Sequence, residues 1–424
     1  MTHIDETRLY DTLTEGEDGA PPSEARNGLR HVASLSMTKL ADGLINPKLV
    51  LTWLAQTLGA PAAITGLLVP IREAGALLPQ LLLAGVVRRS KQRKWVWVAG
   101  SVGQGLAAAA MVVVALTLQG VAAGIALCVL LGLLALSRAA ASVSYKDVLG
   151  KTVSKTRRGS ITGTAGSVAS AGVVVFALLL MSGLLQDVPP IAVAIGIAAA
   201  LWLGAAALFS TLEEEDSAPE TDAQHIDLSP LREDPQFRRF IACRGALTVT
   251  SLAPPYLVLL EQHEGALQKL GAMVLASALA AFVSSWVWGR LADRSSRKVL
   301  MLSGFAGAAA MALAVVAALL GWTDPVWVTP VLLFALLISY QGVRQGRSTY
   351  LVDMAPEEGR ASYAALANTL IGGLLLLTGA LGGGLAVIGP VAALAGFAVL
   401  SLIGGVIAIG LHEVEKPDQD GKSA

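Results

Sequence analysis

Charged and polar side chains inside a long apolar stretch are the first sign of chemistry in this sequence. Lys39, Asp42 and Asn46 fall at i, i+3 and i+7 within the apolar stretch 33–57, a spacing that places them on one face of a helix. An ionisable group at membrane depth costs roughly 2.5–3.5 kcal/mol or more, so it is a functional candidate by default. A desolvated carboxylate there can take up and release a proton, and the neighbouring cation can bind an anionic solute.

The next apolar stretch, 62–86, carries Arg72 and Glu73 near its middle and Gln80 two helical turns later. At about 1.5 Å per residue, Glu73 lies roughly 16 Å deep and Asp42 roughly 13 Å deep, entering from opposite ends of a core about 30 Å thick. Either carboxylate could therefore exchange a proton in a central cavity. We favour Glu73, since Asp42 has a lysine one turn away. The alternative is a structural pair, Asp42 with Arg72, that only fastens the two helices.

A similar polar stripe occurs in the second half of the chain. Arg244, Thr248 and Ser251 share one helix face, and Arg244 is close enough to the stretch's end for its side chain to reach water. Three further arginines lie toward the same end of their spans as Arg244 does. They could bind an anionic solute or pair with the acidic residues of a gate described below: Arg138, Arg344 and Arg347.

The elements that would position these groups are membrane-spanning helices. The chain of 424 residues is 54% hydrophobic and 15% charged, and its apolar runs of about 20 residues lack the alternation of a barrel strand. The polar segment 211–238 divides them into two sets of six. Twelve spans are predicted: 33–57, 62–86, 96–118, 121–143, 161–183, 189–210, 239–261, 270–291, 299–321, 326–347, 363–386 and 389–411.

Lysine and arginine are concentrated in the loops after spans 2, 4 and 8, whereas the loops on the opposite side carry almost none. This asymmetry predicts that both termini lie in the cytoplasm and that the protein is a multi-pass inner-membrane protein. The predicted organisation is a disordered tail (1–30), a six-helix bundle (31–210), a linker (211–238), a second six-helix bundle (239–411) and a tail (412–424).

Other classes of function find no support in the sequence. Both cysteines lie within predicted spans, the five histidines form no ligand cluster, and no glycine-rich loop follows a strand. The net charge of zero gives no general attraction to nucleic acid. We therefore expect no enzyme activity, no cofactor and no metal. The expected partners are a small solute, protons and the lipid bilayer, and the expected oligomeric state is a monomer.

The two halves also repeat a charged motif. "GRLADRSSRK" at 289–298 resembles the signature G-x-L-A-D-R-x-G-R-K of the major facilitator superfamily, and "GVVRRSKQRK" at 85–94 is a partial first copy with Arg89 in the position of the acid. The resemblance covers almost the whole chain. It implies an all-α membrane protein built from two pseudo-symmetric six-helix bundles with a substrate cavity between them.

In the resembled family, ion pairs between such motifs and the other half form breakable latches on the cytoplasmic side. Asp293 would face the basic start of span 5, and Arg89 would face the acids before span 11. The alternative is that these are solvated loop charges. The predicted cytoplasmic gate comprises Arg89, Arg157, Arg158, Asp293, Arg294, Arg297, Glu357 and Glu358.

The resemblance and the buried charges together predict a secondary transporter of a small organic solute, coupled to protons and working by the rocking of the two bundles. The excess of cations around the expected cavity, at Lys39, Lys48 and Arg72, favours an anionic or zwitterionic metabolite. One alternative is an efflux pump that exchanges a drug or metabolite for a proton. Another is a membrane sensor or assembly partner that transports nothing, supported only by the altered first motif.

Overall fold

The computed structural model describes residues 3–14, 20–182, 188–218, 228–260, 266–356 and 360–414, and every regular element in these ranges is a helix. The predicted all-α class is therefore confirmed. In chain order the helices are α1 (His3–Thr14), α2 (Pro22–Ile45), α3 (Val50–Thr57), α4 (Ala62–Thr65), α5 (Leu68–Leu77), α6 (Gln80–Arg89), α7 (Lys94–Thr117), α8 (Gly120–Thr152), α9 (Arg158–Met181), α10 (Val188–Ser210), α11 (Ser229–Glu233), α12 (Pro235–Leu247), α13 (Val249–Leu252), α14 (Pro254–Leu259), α15 (Ala266–Arg294), α16 (Ser296–Leu319), α17 (Val328–Met354), α18 (Arg360–Ile388) and α19 (Pro390–Ile409).

Seven of the described helices are long and apolar enough to cross a membrane, namely α7, α8, α9, α10, α16, α18 from Ser362, and α19. The predicted count of twelve unbroken spans is not confirmed by this measure. Spans 1, 2 and 7 are divided into shorter helices. The apolar part of α15 is limited to Gln268–Ser284, and α17 becomes polar over its second half.

Proline lies at three of the five breaks within spans 1, 2 and 7. Pro47, Pro79 and Pro254 each lie at or beside a boundary between two helices, and proline removes a backbone donor and clashes with the preceding turn. At the first break, the Asn46 side chain accepts a hydrogen bond of 3.1 Å from the backbone N–H of Lys48. Irregular backbone at membrane depth is tolerated where it lines a cavity or is covered by protein, and the break at Pro254 is covered by protein.

The helices pack as two halves. In the first half, α7 packs against α8 and α10, and α2 packs against α9 and α10. In the second half, α16 packs against α17 and α19, and α15 packs against α17. Contact between the halves is made by α9 with α15, by α4 and α5 with α18, and by α3 with α14.

Two ends of the molecule can be distinguished by their connections. The basic end carries connections 90–93 and 153–157, which contain several lysines and arginines, and the charge-poor end carries 58–61 and 118–119, which contain none. At the charge-poor end the two connections touch, since the Gly120 N–H donates a 2.7 Å hydrogen bond to the Leu58 carbonyl oxygen.

The two halves meet closely toward the charge-poor end and separate toward the basic end. A Cβ built on Gly271 of α15 would lie 2.7 Å from the Ala177 carbonyl oxygen of α9, and one built on Gly379 of α18 would clash with the Pro70 ring of α5. Toward the basic end of the same interface, a Cβ on Gly163 of α9 or Gly289 of α15 would meet no described atom within 4 Å. The cleft between the halves therefore opens at the basic end.

The predicted disorder over 1–30 is wrong for the described part of that segment. It forms α1 and the start of α2, and Tyr10 is completely buried in a small apolar cluster at the basic end of the first half. The Tyr10 hydroxyl donates a hydrogen bond of 3.3 Å to Glu24, and Asp11 pairs with Arg157 at 2.5 Å. One aromatic side chain among many polar residues hardly changes the mean hydropathy, so composition alone hides this anchor.

The first part of the predicted linker 211–238 is tied to the first half. The Glu214 carboxylate is buried and accepts hydrogen bonds from the backbone N–H of Lys94 at 2.7 Å and from the Lys151 ammonium at 2.8 Å. Residues 219–227 lie outside the described ranges, and the short helix α11 precedes α12. Of the predicted tail 412–424, the structure describes residues 412–414.

Candidate binding cavity

A cavity of about 580 Å³ lies in the cleft between the two halves. The break between α2 and α3 brings Asn46 and Lys48 to its wall, whereas its other polar lining residues lie within helices. Its charged lining comes from both halves: Lys39, Asp42, Lys48, Arg72, Glu73 and Arg138 from the first, and Arg344 and Arg347 from the second. Asn46 also lines this cavity.

Asp42 is held between two arginines of its own half. Its Oδ1 lies 3.3 Å from Nη2 of Arg72 on α5, and its Oδ2 accepts a hydrogen bond from Arg138 on α8. The ion pair between Asp42 and Arg72 joins α2 to α5, as a structural role requires. The contact with Arg138 joins α8 to the same carboxylate. This cluster fastens α2, α5 and α8 at the cavity wall.

Glu73 lies instead at the boundary between the halves. Its Oε1 is 3.4 Å from the Lys48 ammonium, and that ammonium also lies 3.7 Å from the ring centroid of Tyr340 on α17. Charge interactions reach Glu73 from Arg72 on its own helix and from Arg347 of the second half. Of the two predicted proton-coupling carboxylates, Glu73 is therefore the one that faces a cation of the opposite half.

Two of the other predicted binding residues make contacts that the sequence did not specify. The Lys39 ammonium donates a hydrogen bond of 2.8 Å to the Thr162 carbonyl oxygen on α9. Gln80 is not among the residues that line the large cavity. Its Oε1 accepts a hydrogen bond of 3.4 Å from Asn368 of α18, so it joins the two halves directly.

A second, smaller pocket of about 20 Å³ continues from the large cavity into the second half, and the two share Glu73, Tyr340, Arg344 and Arg347. Arg244 lines this pocket and is only 4% exposed. Its Nη2 donates a hydrogen bond of 3.0 Å to Asn368, whereas its Nε is buried and has no hydrogen-bond partner among the described residues.

The charges that line the two pockets do not balance. Seven described cationic side chains and two carboxylates line them, which leaves a surplus of five positive charges. Within the described residues, Arg344 and Arg347 make neither an ion pair nor a hydrogen bond, while both carboxylates pair with cations of the first half. The arrangement is suited to binding an anion between the halves.

Sequence reasoning missed two residues of this region. Tyr340 lies one helical turn before Arg344, on the same face of α17, and this spacing was the available signal. Asn368, which contacts both Gln80 and Arg244, is a lone amide within the apolar stretch 363–386, and a polar residue in that position was its signal.

At the basic end, three of the predicted gate arginines have partners within their own half. Arg157 pairs with Asp11, Arg158 donates hydrogen bonds to backbone carbonyl oxygens at the end of α8, and Arg297 pairs with Glu413 at 2.8 Å. Burial lowers the pKa of the Arg157 guanidinium, but the hydrogen bond and the charge of Asp11 outweigh it, so this pKa is raised.

The remaining gate residues stay a prediction. Glu357 and Glu358 lie outside the described residues, and so does the side chain of Asp293. Arg89 and Arg294 are exposed at the basic end, where the cleft is open. A latch that closes in another conformation would require these groups to approach from the separation seen here.

Among the described residues there is no group of three or more histidine, cysteine, aspartate or glutamate side chains placed to hold a metal ion. Cys128 and Cys243 are both unpaired thiols, and burial separates Cys243 from solvent. The chemistry that the described side chains of the cavity offer is therefore charge pairing, hydrogen bonding and proton exchange.

Comparison with known proteins shows which family and which solved structures this chain resembles. A profile described as "Major Facilitator Superfamily" matches residues 33–371 and 240–424. No curated protein matches the chain. A mutant of the nucleoside transporter NupG has 14% identity and a TM-score of 0.71, and the alignment covers 91% of this chain and 100% of that one.

Two structures of a POT family transporter are similar to the same degree. One, in complex with a thioalcohol-conjugated peptide, has 12% identity and a TM-score of 0.69 over 96% of this chain and 99% of that one. The other, in complex with 5-aminolevulinic acid, has 11% identity and a TM-score of 0.70 over 94% and 97%. At these identities the likeness shows the fold.

Proposed function

The chain belongs to the Major Facilitator Superfamily and is a membrane transporter, and we propose that its solute is a small organic anion that moves together with a proton. The observation that carries this proposal is the surplus of cations over carboxylates in the cleft between the halves. The solute would bind near the middle of the membrane and be exposed to each side in turn.

The sign of the cavity charge favours an anion over other solutes. Two like charges repel more strongly at low dielectric than in water, and every uncompensated charge at membrane depth is costly. An anion that enters lowers this cost by pairing with Arg344 and Arg347, which have no carboxylate partner among the described residues. A cationic solute would raise the cost further.

Proton coupling is assigned to Glu73 because an anion competes with it for the same cations. A solute that pairs with Lys48 and Arg347 weakens their attraction for the Glu73 carboxylate. Uptake of a proton then removes a negative charge that has lost its partner in a desolvated site. Solute and proton are therefore bound together, which is the requirement for moving them in the same direction. Asp42 is less suited, since two arginines of its own half hold it.

The basic end is assigned to the cytoplasm of an inner-membrane protein, because lysine and arginine accumulate on the cytoplasmic side. In this orientation both termini are cytoplasmic and the cleft described above is open inward. Opening outward would require the contacts at Gly271 and Gly379 to separate while the basic ends of α9 and α15 approach each other.

The proposal is tested with purified protein in liposomes that contain a pH-sensitive dye. Organic anions, zwitterions and cations are added outside, one at a time, and liposomes without protein provide the control. We expect one or more organic anions to acidify the interior, and Arg347→Gln to abolish the signal. A signal produced only by organic cations, or an alkalinisation that accompanies solute entry, would overturn the proposal.

A further inference from the structure

The positive charge of the cleft is not evenly distributed. In the first half, Asp42 and Glu73 each pair with cations of that half. In the second half, Arg244, Arg344 and Arg347 line one small pocket, and the single described carboxylate that lines it, Glu73, comes from the other half and is engaged by Lys48. Three of the five surplus charges are therefore the guanidinium groups of the second half.

The helices hold these three arginines together. Arg344 and Arg347 are three residues apart on α17, so they share one face, and Arg244 of α12 faces them closely enough for its charge to interact with that of Arg347. Like charges held side by side without a counter-charge repel one another, so a ligand that supplies the counter-charge stabilises the protein.

Arg244 indicates which kind of atom the pocket can bind. Its guanidinium is almost fully buried at the pocket wall, and its Nε has no acceptor among the described residues. A buried donor of this kind needs a hydrogen-bond acceptor, because leaving it unpaired carries the full desolvation penalty. Guanidinium groups have five donors and no acceptor, so a group that binds them is an acceptor such as an anionic oxygen.

The two pockets differ in size in a way that suits a solute with a small anionic head and a larger body. The inner pocket of about 20 Å³ has room for one group of the size of a water molecule. The outer cavity of about 580 Å³ is within the range of small-molecule sites. An oxygen of the head group enters the inner pocket, and the rest of the solute occupies the outer cavity.

We propose that Arg244, Arg344 and Arg347 bind the phosphoryl head group of an organic phosphate, an inference that rests on the proposed function and names its solute class. A phosphate monoester carries close to two negative charges at neutral pH and has three terminal oxygens on one phosphorus atom. It therefore offers each of the three guanidiniums an acceptor from one small group. A carboxylate has two oxygens and one charge, and a dicarboxylate spreads its two charges apart.

The inference is tested by binding of inorganic phosphate to the full-length protein in lipid nanodiscs, measured by calorimetry in parallel with chloride and succinate. We expect saturable phosphate binding that is tighter than that of either other anion. Arg347→Gln should weaken it about 10- to 100-fold, since each hydrogen bond to a charged group contributes that much. Arg232→Gln, the same change on the exposed helix α11, should leave it unchanged.

Arg244 is buried, and the protein could fail to fold without it, so two further variants leave Arg244 in place. Arg347→Lys retains the charge but loses the planar fork, so it should weaken phosphate binding less than Arg347→Gln does. Arg344→Gln changes an exposed side chain in the cavity and should weaken binding without a loss of folded protein. Phosphate binding no tighter than that of chloride, preference for succinate, or binding unaffected by these variants would overturn the inference.

The outcome is distinguishable from a failure of the proposed function. If other organic anions drive proton entry in liposomes while phosphate does not bind, the head-group assignment is wrong and the transport proposal stands. If phosphate binds as expected but no organic phosphate is transported with a proton, the head-group assignment stands and the transport proposal is wrong.

Discussion

The two halves of the molecule line one cavity with charged groups but compensate them differently. In the first half, Asp42 and Glu73 pair with Arg72, Arg138 and Lys48. In the second half, the arginines at the cavity have no carboxylate of their own half as a partner among the described residues. Arginine therefore has two roles in this cavity. Paired arginines hold helices together, and those without a carboxylate partner are available to a ligand.

This difference gives different expectations for removing a charge. Taking away one member of a pair leaves its partner uncompensated, which destabilises the fold. Taking away an arginine that repels its neighbours removes an unfavourable interaction. Stability and binding should therefore respond to substitution differently in the two halves.

The largest effect on stability is expected for Asp42→Asn. The substitution removes the carboxylate that lies between Arg72 and Arg138, and breaking these partly buried pairs costs up to about 3 kcal/mol, the lower end of the range for fully buried pairs. The free energy of unfolding in mixed micelles of lipid and SDS measures the loss. Adding Arg138→Gln to Asp42→Asn should recover part of it, and a double variant as unstable as the single one would contradict the pairing.

A smaller effect on stability is expected for Arg347→Gln. It removes the repulsion between Arg347 and Arg244 and also the attraction between Arg347 and Glu73, which still pairs with Lys48, so the free energy of unfolding of the ligand-free protein should change by no more than about 1 kcal/mol. The same variant should lose anion binding. If Arg347→Gln destabilises the protein as much as Asp42→Asn, the contrast between the halves does not hold.

The smallest effect is expected for Gln80→Leu, which removes the 3.4 Å hydrogen bond between Gln80 and Asn368 across the interface. One hydrogen bond contributes about 1 kcal/mol, so the population open at the basic end should fall about fivefold relative to the closed one. Distances between spin labels at positions 155 and 298 report this change. Gln345→Leu, an exposed change within one half, provides the control, and an equal shift in both variants would argue against the bridge.

Much of the fold followed from the sequence because it depends on local patterns. The resemblance to the major facilitator superfamily and the all-α class are confirmed, and both rest on apolar runs and on the charged motif at 289–298. The placement of Lys39, Asp42 and Asn46 on one wall follows from helical spacing. The helix breaks were not predicted, since a proline within an apolar run looks the same in a bent helix and in a divided one.

The pairings within the site depend on distances between helices that are far apart in the chain, and spacing along one helix does not give these. Arg138 joins Asp42 across 96 residues, and the Lys48 ammonium lies over a tyrosine of the other half. The anchoring of α1 by Tyr10 is of the same kind, since its partners belong to other segments. The roles assigned to the individual site residues stay predictions.

The most direct test of the account separates solute binding from proton movement at Glu73. Exchange of a labelled solute between the two sides of a liposome needs no net proton movement, whereas solute-driven acidification does. In Glu73→Gln the account predicts that exchange continues while acidification is lost. Acidification that persists in Glu73→Gln at the wild-type proton-to-solute ratio would contradict the assignment of the coupled proton to Glu73.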